Sequence, residues 1–236
     1  MKRDPEFTTQ ADHAQTQLRS AILSGVLAPG ERIRMNVAAA GMAVSLGAVR
    51  EGLSRLAAEE IVIATAQRGY RVASVSADEL NDLTETRIAL EHICLRASIA
   101  EGNVEWEASL VGALHRLLRI PEFEGEEGSR LSIEWSEAHE SFHSALVAGS
   151  KSVWMNKFRS SLCLQAERYR RLSVPLRTQD RDVAGEHRQL CEAALARDAE
   201  TACTLMRSHL KRTSEILLQS PLLAAVANQS LEAVSS

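Results

Sequence analysis

Long apolar runs are missing from this chain: nowhere do 18 or more apolar residues follow one another, so no membrane-spanning helix is expected. The opening residues MKRDPEF carry charges with no apolar segment behind them, which argues against a secretory signal and for a cytoplasmic protein. Aromatic side chains are sparse, at 4%, while alanine and leucine are abundant, and that balance favours helices. No two cysteines stand in CxxC spacing. Cys94, Cys163, Cys191 and Cys203 are scattered through apolar helical patterns, so they read as small buried residues and not as disulfide or zinc-finger partners.

A strong surplus of either charge is also absent, the net charge being −4. The balance is uneven, however. Residues 1–75 hold nine Lys and Arg against seven Asp and Glu, and the acidic excess lies in the remainder. The N-terminal piece is thereby free to meet phosphate while the rest faces water. With 236 residues the chain has room for one large domain or two ordinary ones.

The apolar spacing predicts a helix over 11–25, with Ala14, Leu18, Ile22 and Leu23 on one side and Gly25 at its end. Ala28-Pro29-Gly30 reads as a turn. Asn36 is placed to cap a short helix over 37–43, and Ser45 to cap the next, which buries Val49, Leu53 and Leu56. The β-branched run 61–66, then Gln67-Arg68-Gly69, then 70–73 reads as a hairpin with an arginine beside a glycine at its tip. Three helices followed by a two-stranded ribbon is the winged helix-turn-helix arrangement, whose second helix of the turn pair enters the major groove.

These residues carry a family resemblance. LRSAILSGVLAPGERI over 18–33, VREGLSRL over 49–56 and RGYRV over 68–72 resemble, in order, the DNA-binding domain of GntR-type transcription regulators. Carried over position by position, the resemblance implies that Ser45, Gly47 and Arg50 present the recognition helix to double-stranded DNA and that Arg68 and Gly69 form the wing tip. An arginine at 50 reaches a phosphate or a guanine edge, and a glycine at 69 permits close backbone approach. An ion pair of Arg50 with its neighbour Glu51 is the alternative use of that side chain. Two positions depart from the pattern: Leu46 stands where the family usually has arginine, and Ala48 where it commonly has proline. One phosphate contact is lost with the first, and the operator sequence cannot be transferred from relatives.

Past a polar joint near residue 76, helices are expected over 78–101, 106–120, 134–150, 152–173, 179–197 and 198–218, with an exposed acidic loop over 121–130, a stop at Val174-Pro175, and fraying from Ser220. In EWSEAHESFHSALVAGS over 134–150, His139 and His143 fall one turn apart on one face. On spacing alone two uses are open: a solvated or hydrogen-bonded pair, or two imidazoles sharing one metal ion. His187 and His209 lie in later helices, so three helices of a bundle can bring four neutral nitrogens to one point.

This half resembles the FCD-type effector domain of the FadR subfamily of GntR regulators, through Glu85-Thr86-Arg87 with Leu90-Glu91, Phe142-His143 after His139, Glu186-His187 and Ser208-His209-Leu210. The fold implied is mainly α: a winged helix-turn-helix domain over 1–75 and an all-helical bundle of six to seven helices over 76–236. The resemblance also implies a divalent metal ion, zinc or nickel, on His139, His143, His187 and His209. The family's carboxylate ligand falls on His139 here, so the ion would keep a fuller positive charge. A small carboxylate effector would take the open position, with Arg87 holding another carboxylate bidentately; an i, i+4 pair with Glu91 is the other use of Arg87. On a later helix Arg168 and Arg170 flank Tyr169, and Arg168 with Tyr169 is placed as a second wall of the cavity. Gly69-Tyr70-Arg71-Val72-Ala73-Ser74 and Glu167-Arg168-Tyr169-Arg170 are similar to a narrower group, the carbon-starvation-induced, glutarate-responsive repressors.

Together these features predict a homodimeric repressor on a palindromic operator, released by a glutarate-like dicarboxylate. The same fold sensing another carboxylate or a sugar acid, or acting as an activator, is the alternative. A metal-dependent hydrolase built on the same histidines is more remote, because Glu137 and Glu140 share the helix but not the face of His139 and no general base is identifiable beside a metal-bound water.

Overall fold

The computed structural model describes residues 9–124, 130–173, 181–219 and 223. Chain contacts divide it into two compact units between Ser76 and Ala77. No helix among the described residues is long and apolar enough to cross a membrane.

In the first unit, α1 (Gln10–Leu23) opens on a capping box in which the Thr9 hydroxyl accepts from the Asp12 amide and the Asp12 carboxylate accepts from the Thr9 amide. Its buried stripe is Ala11, Ala14, Leu18 and Ile22. Gly25 and Gly30 then take positive φ, at 79° and 78°, in the turn that follows. A short strand, β1 (Arg32–Ile33), leads into α2 (Met35–Met42). The expected Asn36 cap does not form. The helix starts straight after the strand, with Arg34 at the cap position and no side-chain bond there, so Asn36 falls inside the first turn.

The next helix, α3 (Leu46–Ala58), is capped by Ser45, whose hydroxyl accepts from the Ala48 amide at 3.1 Å. It buries Ala48, Val49, Gly52, Leu53 and Leu56. The backbone of α1 crosses at Gly52, where a Cβ would come within 2.9 Å of the Gln15 nitrogen. Strands β2 (Val62–Thr65) and β3 (Gly69–Val72) pair antiparallel. The ribbon is three-stranded and not two-stranded: β1 joins it in the order β1-β3-β2, with Ile33 opposite Tyr70. A two-residue strand carries too little alternation to be read from sequence.

The second unit holds six helices among the described residues: α4 (Ala77–Glu101), α5 (Val104–Arg119), α6 (Ile133–Val147), α7 (Val153–Ser173), α8 (Val183–Leu195) and α9 (Ala199–Leu218). Pairing is most extensive between α4 and α9, α5 and α6, and α4 and α7. Ile88, Leu95, Leu110, Phe142, Leu146, Leu190 and Met206 fill the centre. The segment expected as an exposed loop is partly ordered as a hairpin of β4 (Phe123–Glu124) and β5 (Arg130–Leu131), because Leu131 is buried and pairs with Phe123. Residues 125–129, the stop at Val174-Pro175, and the tail from Ser220 apart from Leu223 lie outside the described residues. The four cysteines are free thiols, and three of them are buried.

Candidate functional site

The winged unit presents its sequence-expected residues outward. Ser45, Gly47 and Arg50, on and just before the first turn of α3, are exposed, and so is Leu46. The Ser45 hydroxyl is engaged in capping. Glu51, the alternative partner of Arg50, is taken by Arg55 at 2.5 Å, and Arg50 has no ion pair among the described residues. Arg68 is exposed at the tip between β2 and β3. The tip closes on its amide, which donates to Thr65 O at 3.0 Å, with Gln67 and Gly69 at φ of 58° and 85°. An unpaired arginine on a helix start and another on a ribbon tip suit a polyanion.

In the helical unit, three elements converge. His139 and His143 stand on α6, His187 on α8 and His209 on α9, and one ligand nitrogen from each falls within 4.8 Å of the others. The Nε2 atoms of His139 and His143 are 3.2 Å apart. About a tetrahedral ion with bonds of roughly 2.0–2.1 Å, ligand nitrogens stand about 3.3 Å apart, so this pair already has the right separation. The convergence follows from packing: α6 sets Trp135, Ala138, Phe142 and Leu146 into the core, and the same face carries the two histidines.

Burial first, and the positive potential of its neighbours second, keeps each ring neutral. His139 and His143 are pushed well below the usual imidazole value, and His187 down to about 2. His209 is lowered by burial against the opposing effect of the hydrogen bond it donates to Glu186. Its Nδ1 meets the Glu186 carboxylate at 2.8 Å, which fixes the ring and leaves Nε2 for a ligand role. Glu186 is in turn held by Arg181 and Arg212; burial would raise its pKa, but the bonds from His209 and Arg181 carry it well below the usual carboxylate range. Nε2 of His187 is buried with no hydrogen-bond partner. Four neutral imidazoles, one of them orphaned and one held by a carboxylate behind it, fit a borderline divalent cation. Glu137 and Glu140 are exposed, and among the described residues no carboxylate belongs to the cluster.

Arginines frame this centre. Arg87, on α4, is half-buried; among the described residues it donates only to the Cys163 sulfur, at 3.7 Å, and its Nε has no partner. The expected alternative, a pair with Glu91, does not form: Glu91 is buried against Arg159 at 2.9 Å. Arg87 contributes to the depression of both His143 and His209. Arg168 and Tyr169 are placed differently. The Arg168 Nη1 donates to Gln165 at 2.7 Å and lies 3.9 Å from Glu79, and the Tyr169 hydroxyl donates to Glu79 at 2.7 Å. The arginine of α7 that acts on His139 and His187 is Arg170, whose guanidinium lies 5.4 Å from the centre of the Trp135 ring. Its helix was legible in the sequence, but which of the two buried arginines beside Tyr169 lies against Trp135 was not. Nor did any spacing signal identify Glu186 as the partner of a histidine on another helix.

Comparison with known proteins agrees with both halves. The family model described as bacterial regulatory proteins, gntR family, matches residues 10–72, and the FCD domain model matches residues 82–212. An uncharacterized HTH-type transcriptional regulator, BphR of Paraburkholderia xenovorans, is 41% identical over 207 residues, covering 88% of this chain and 84% of that protein. The HTH-type transcriptional repressor GlaR of Escherichia coli is 36% identical over 206 residues, covering 86% and 93%. Among solved structures, E. coli McbR/YncC superposes with a TM-score of 0.71 at 18% identity, over 89% of this chain and 98% of that one, a likeness of fold.

Proposed function

The chain belongs to the GntR family of bacterial regulatory proteins, in the branch that carries an FCD domain, and is a DNA-binding transcriptional regulator and not an enzyme; from that premise we propose a homodimeric repressor released by a small dicarboxylate. The observation that carries the effector half is the meeting within 4.8 Å of four neutral imidazoles from three helices, three of them buried and His139 half-buried. His139, His143, His187 and His209 would hold a divalent ion, zinc or nickel, and such an ion supplies an open coordination position for an oxygen anion. The ligand set brings no negative charge of its own, and Arg87, beside it, has no carboxylate partner among the described residues. A buried site with that surplus of positive charge selects an acid, and an acid with two carboxylates satisfies both the ion and Arg87.

In the DNA-binding half, Arg50 and Arg68 approach the duplex from the recognition helix and the wing, and Ser45 and Gly47 keep the start of α3 slim enough for its amides to near a phosphate. Gly69 gives the wing tip a conformation open to glycine at low strain. Repression follows from occupying the operator, and release from the acid's preference for a conformation that misfits the half-site spacing.

Calorimetry with four- to six-carbon acids, before and after chelation, tests this reading. A five-carbon dicarboxylate is expected to bind the zinc-loaded protein, to lose its heat after chelation, and to bind far more weakly after Arg87→Ala. A panel in which no acid gives heat with or without metal would end the sensing reading and leave a DNA-binding regulator with other control.

A further inference from the structure

Three buried polar atoms without a hydrogen-bond partner stand out among the described residues: Nε of Arg87, Nη1 of Arg170 and Nε2 of His187. They come from three helices, α4, α7 and α8. Buried donors and acceptors are almost always paired, so three orphans associated with one cluster mark a place shaped for something that completes them. The His187 atom belongs to the metal-ligand set already described. The two guanidinium atoms ask for an anion.

Arg170 is the informative one. Its residue is 8% exposed, and its side chain is oriented from behind: Nε and Nη2 each donate to the Glu167 carboxylate at 2.7 Å. That bidentate clamp leaves Nη1 as the unused arm. Glu167 also accepts from Arg171 at 2.7 Å, so one carboxylate faces two guanidiniums and positive charge remains. The guanidinium lies against the Trp135 ring, and that ring is stacked on His139 at 4.7 Å and stands 6.5 Å from His187. Arg170 is therefore placed by the His139 and His187 side of the cluster. Arg87 exerts its influence on the other pair, His143 and His209.

We propose that Arg170 is an anion-binding residue of this centre: its Nη1 donates to the carboxylate that takes the ion's open position, while Arg87 holds the acid's other carboxylate. This rests on the effector reading above and adds to it the residue that recognises the ion-proximal carboxylate, a group shared by mono- and dicarboxylic acids. Arg168, two residues away, is engaged differently: its Nη1 donates to Gln165 and lies 3.9 Å from Glu79.

The test uses zinc-loaded full-length protein, glutarate and the matching monocarboxylate pentanoate, with calorimetric affinity and zinc content as readouts. Arg170→Lys keeps a cation for Glu167 but removes the free arm. It is expected to weaken both acids at least tenfold with zinc content unchanged, whereas Arg87→Ala weakens glutarate alone and Arg168→Lys changes neither. Should Arg170→Lys fail to fold, Arg170→Gln, which leaves Glu167 paired with Arg171, is judged by the same criteria. Wild-type affinity in the Arg170 variant, an equal loss in Arg168→Lys, or a loss explained by missing zinc would each overturn the assignment while leaving the effector reading standing. Failure of wild-type protein to bind either acid would instead strike the effector reading itself.

Discussion

Glu186 shows how one side chain can set the chemistry of a whole centre without touching its focus. It anchors the His209 Nδ1 at 2.8 Å and is itself pinned by Arg181 and Arg212, so the imidazole cannot turn its remaining nitrogen away. Partners behind a ligating histidine are typically worth 10–100-fold in metal affinity. Glu186→Gln is accordingly expected to weaken zinc binding by about that factor, measured by competition with a chromogenic chelator. In the other unit, the Ser45 cap is worth roughly 1 kcal/mol. Ser45→Ala should lower the stability of the winged unit by about that amount in a urea titration, beside any loss of DNA binding. Asp12 behaves differently with pH. Hydrogen bonds from Thr9 first, and then from Arg55, hold its carboxyl down to about 2. A carboxyl depressed on folding stabilises fully above its unfolded value near 3.9 and loses that contribution as pH falls through the folded one. Thermal melts between about pH 4 and 2 should show the winged unit weakening, and Asp12→Asn should flatten that dependence.

At the scale of elements, the packing of α1 on α3 turns on a glycine. A Cβ at Gly52 would meet the Gln15 nitrogen at 2.9 Å and the Ala11 oxygen at 3.3 Å, both backbone atoms that cannot move without shifting the helix. Gly52→Val is expected to destabilise the unit by about 1–3 kcal/mol, as overpacking of a tight contact does, and circular dichroism melts would register it. Helices of this kind were legible in the sequence because long amphipathic patterns carry their own evidence: α3, α4, α6, α7 and α9 begin and end within a few residues of the spacing-based expectation. Short pieces were not. Two residues of β1 gain strand character only by pairing with β3, and β4 and β5 only by pairing with each other. The histidines were legible as candidates because α6 repeats them at one-turn spacing, while the convergence of His187 and His209 on them is a property of the bundle. The arginines were less so. Arg168 and Arg170 are two residues apart and chemically identical, and their different partners, Gln165 for one and Glu167 with Trp135 for the other, are set by the packing of the bundle.

For the molecule as a whole, the proposed function gives the two units opposite electrostatic tasks: one offers unpaired arginines to a polyanion, the other would gather positive charge inward around a small acid. The first task predicts steep salt dependence. Each phosphate neutralised contributes close to one unit of slope in a plot of log affinity against log salt, so Arg50→Ala or Arg68→Ala should reduce the slope by about one if the lost contact is a phosphate. If Arg50 reads a guanine edge, the slope stays and preference at one base pair relaxes instead. The two tasks must also be linked if the acid is to release DNA, and linkage is reciprocal: whatever factor the acid removes from operator affinity, the operator removes from acid affinity. Typical coupling of about 1–3 kcal/mol corresponds to roughly 5–150-fold. Fluorescence anisotropy at fixed salt with zinc-loaded protein should show a loss in that range on saturation with glutarate. Calorimetry of the DNA-bound protein should then show the acid weakened by the same factor, with both effects gone after chelation. An acid that binds tightly yet leaves operator affinity unchanged would have equal preference for both conformations, and it would not be the signal this regulator answers.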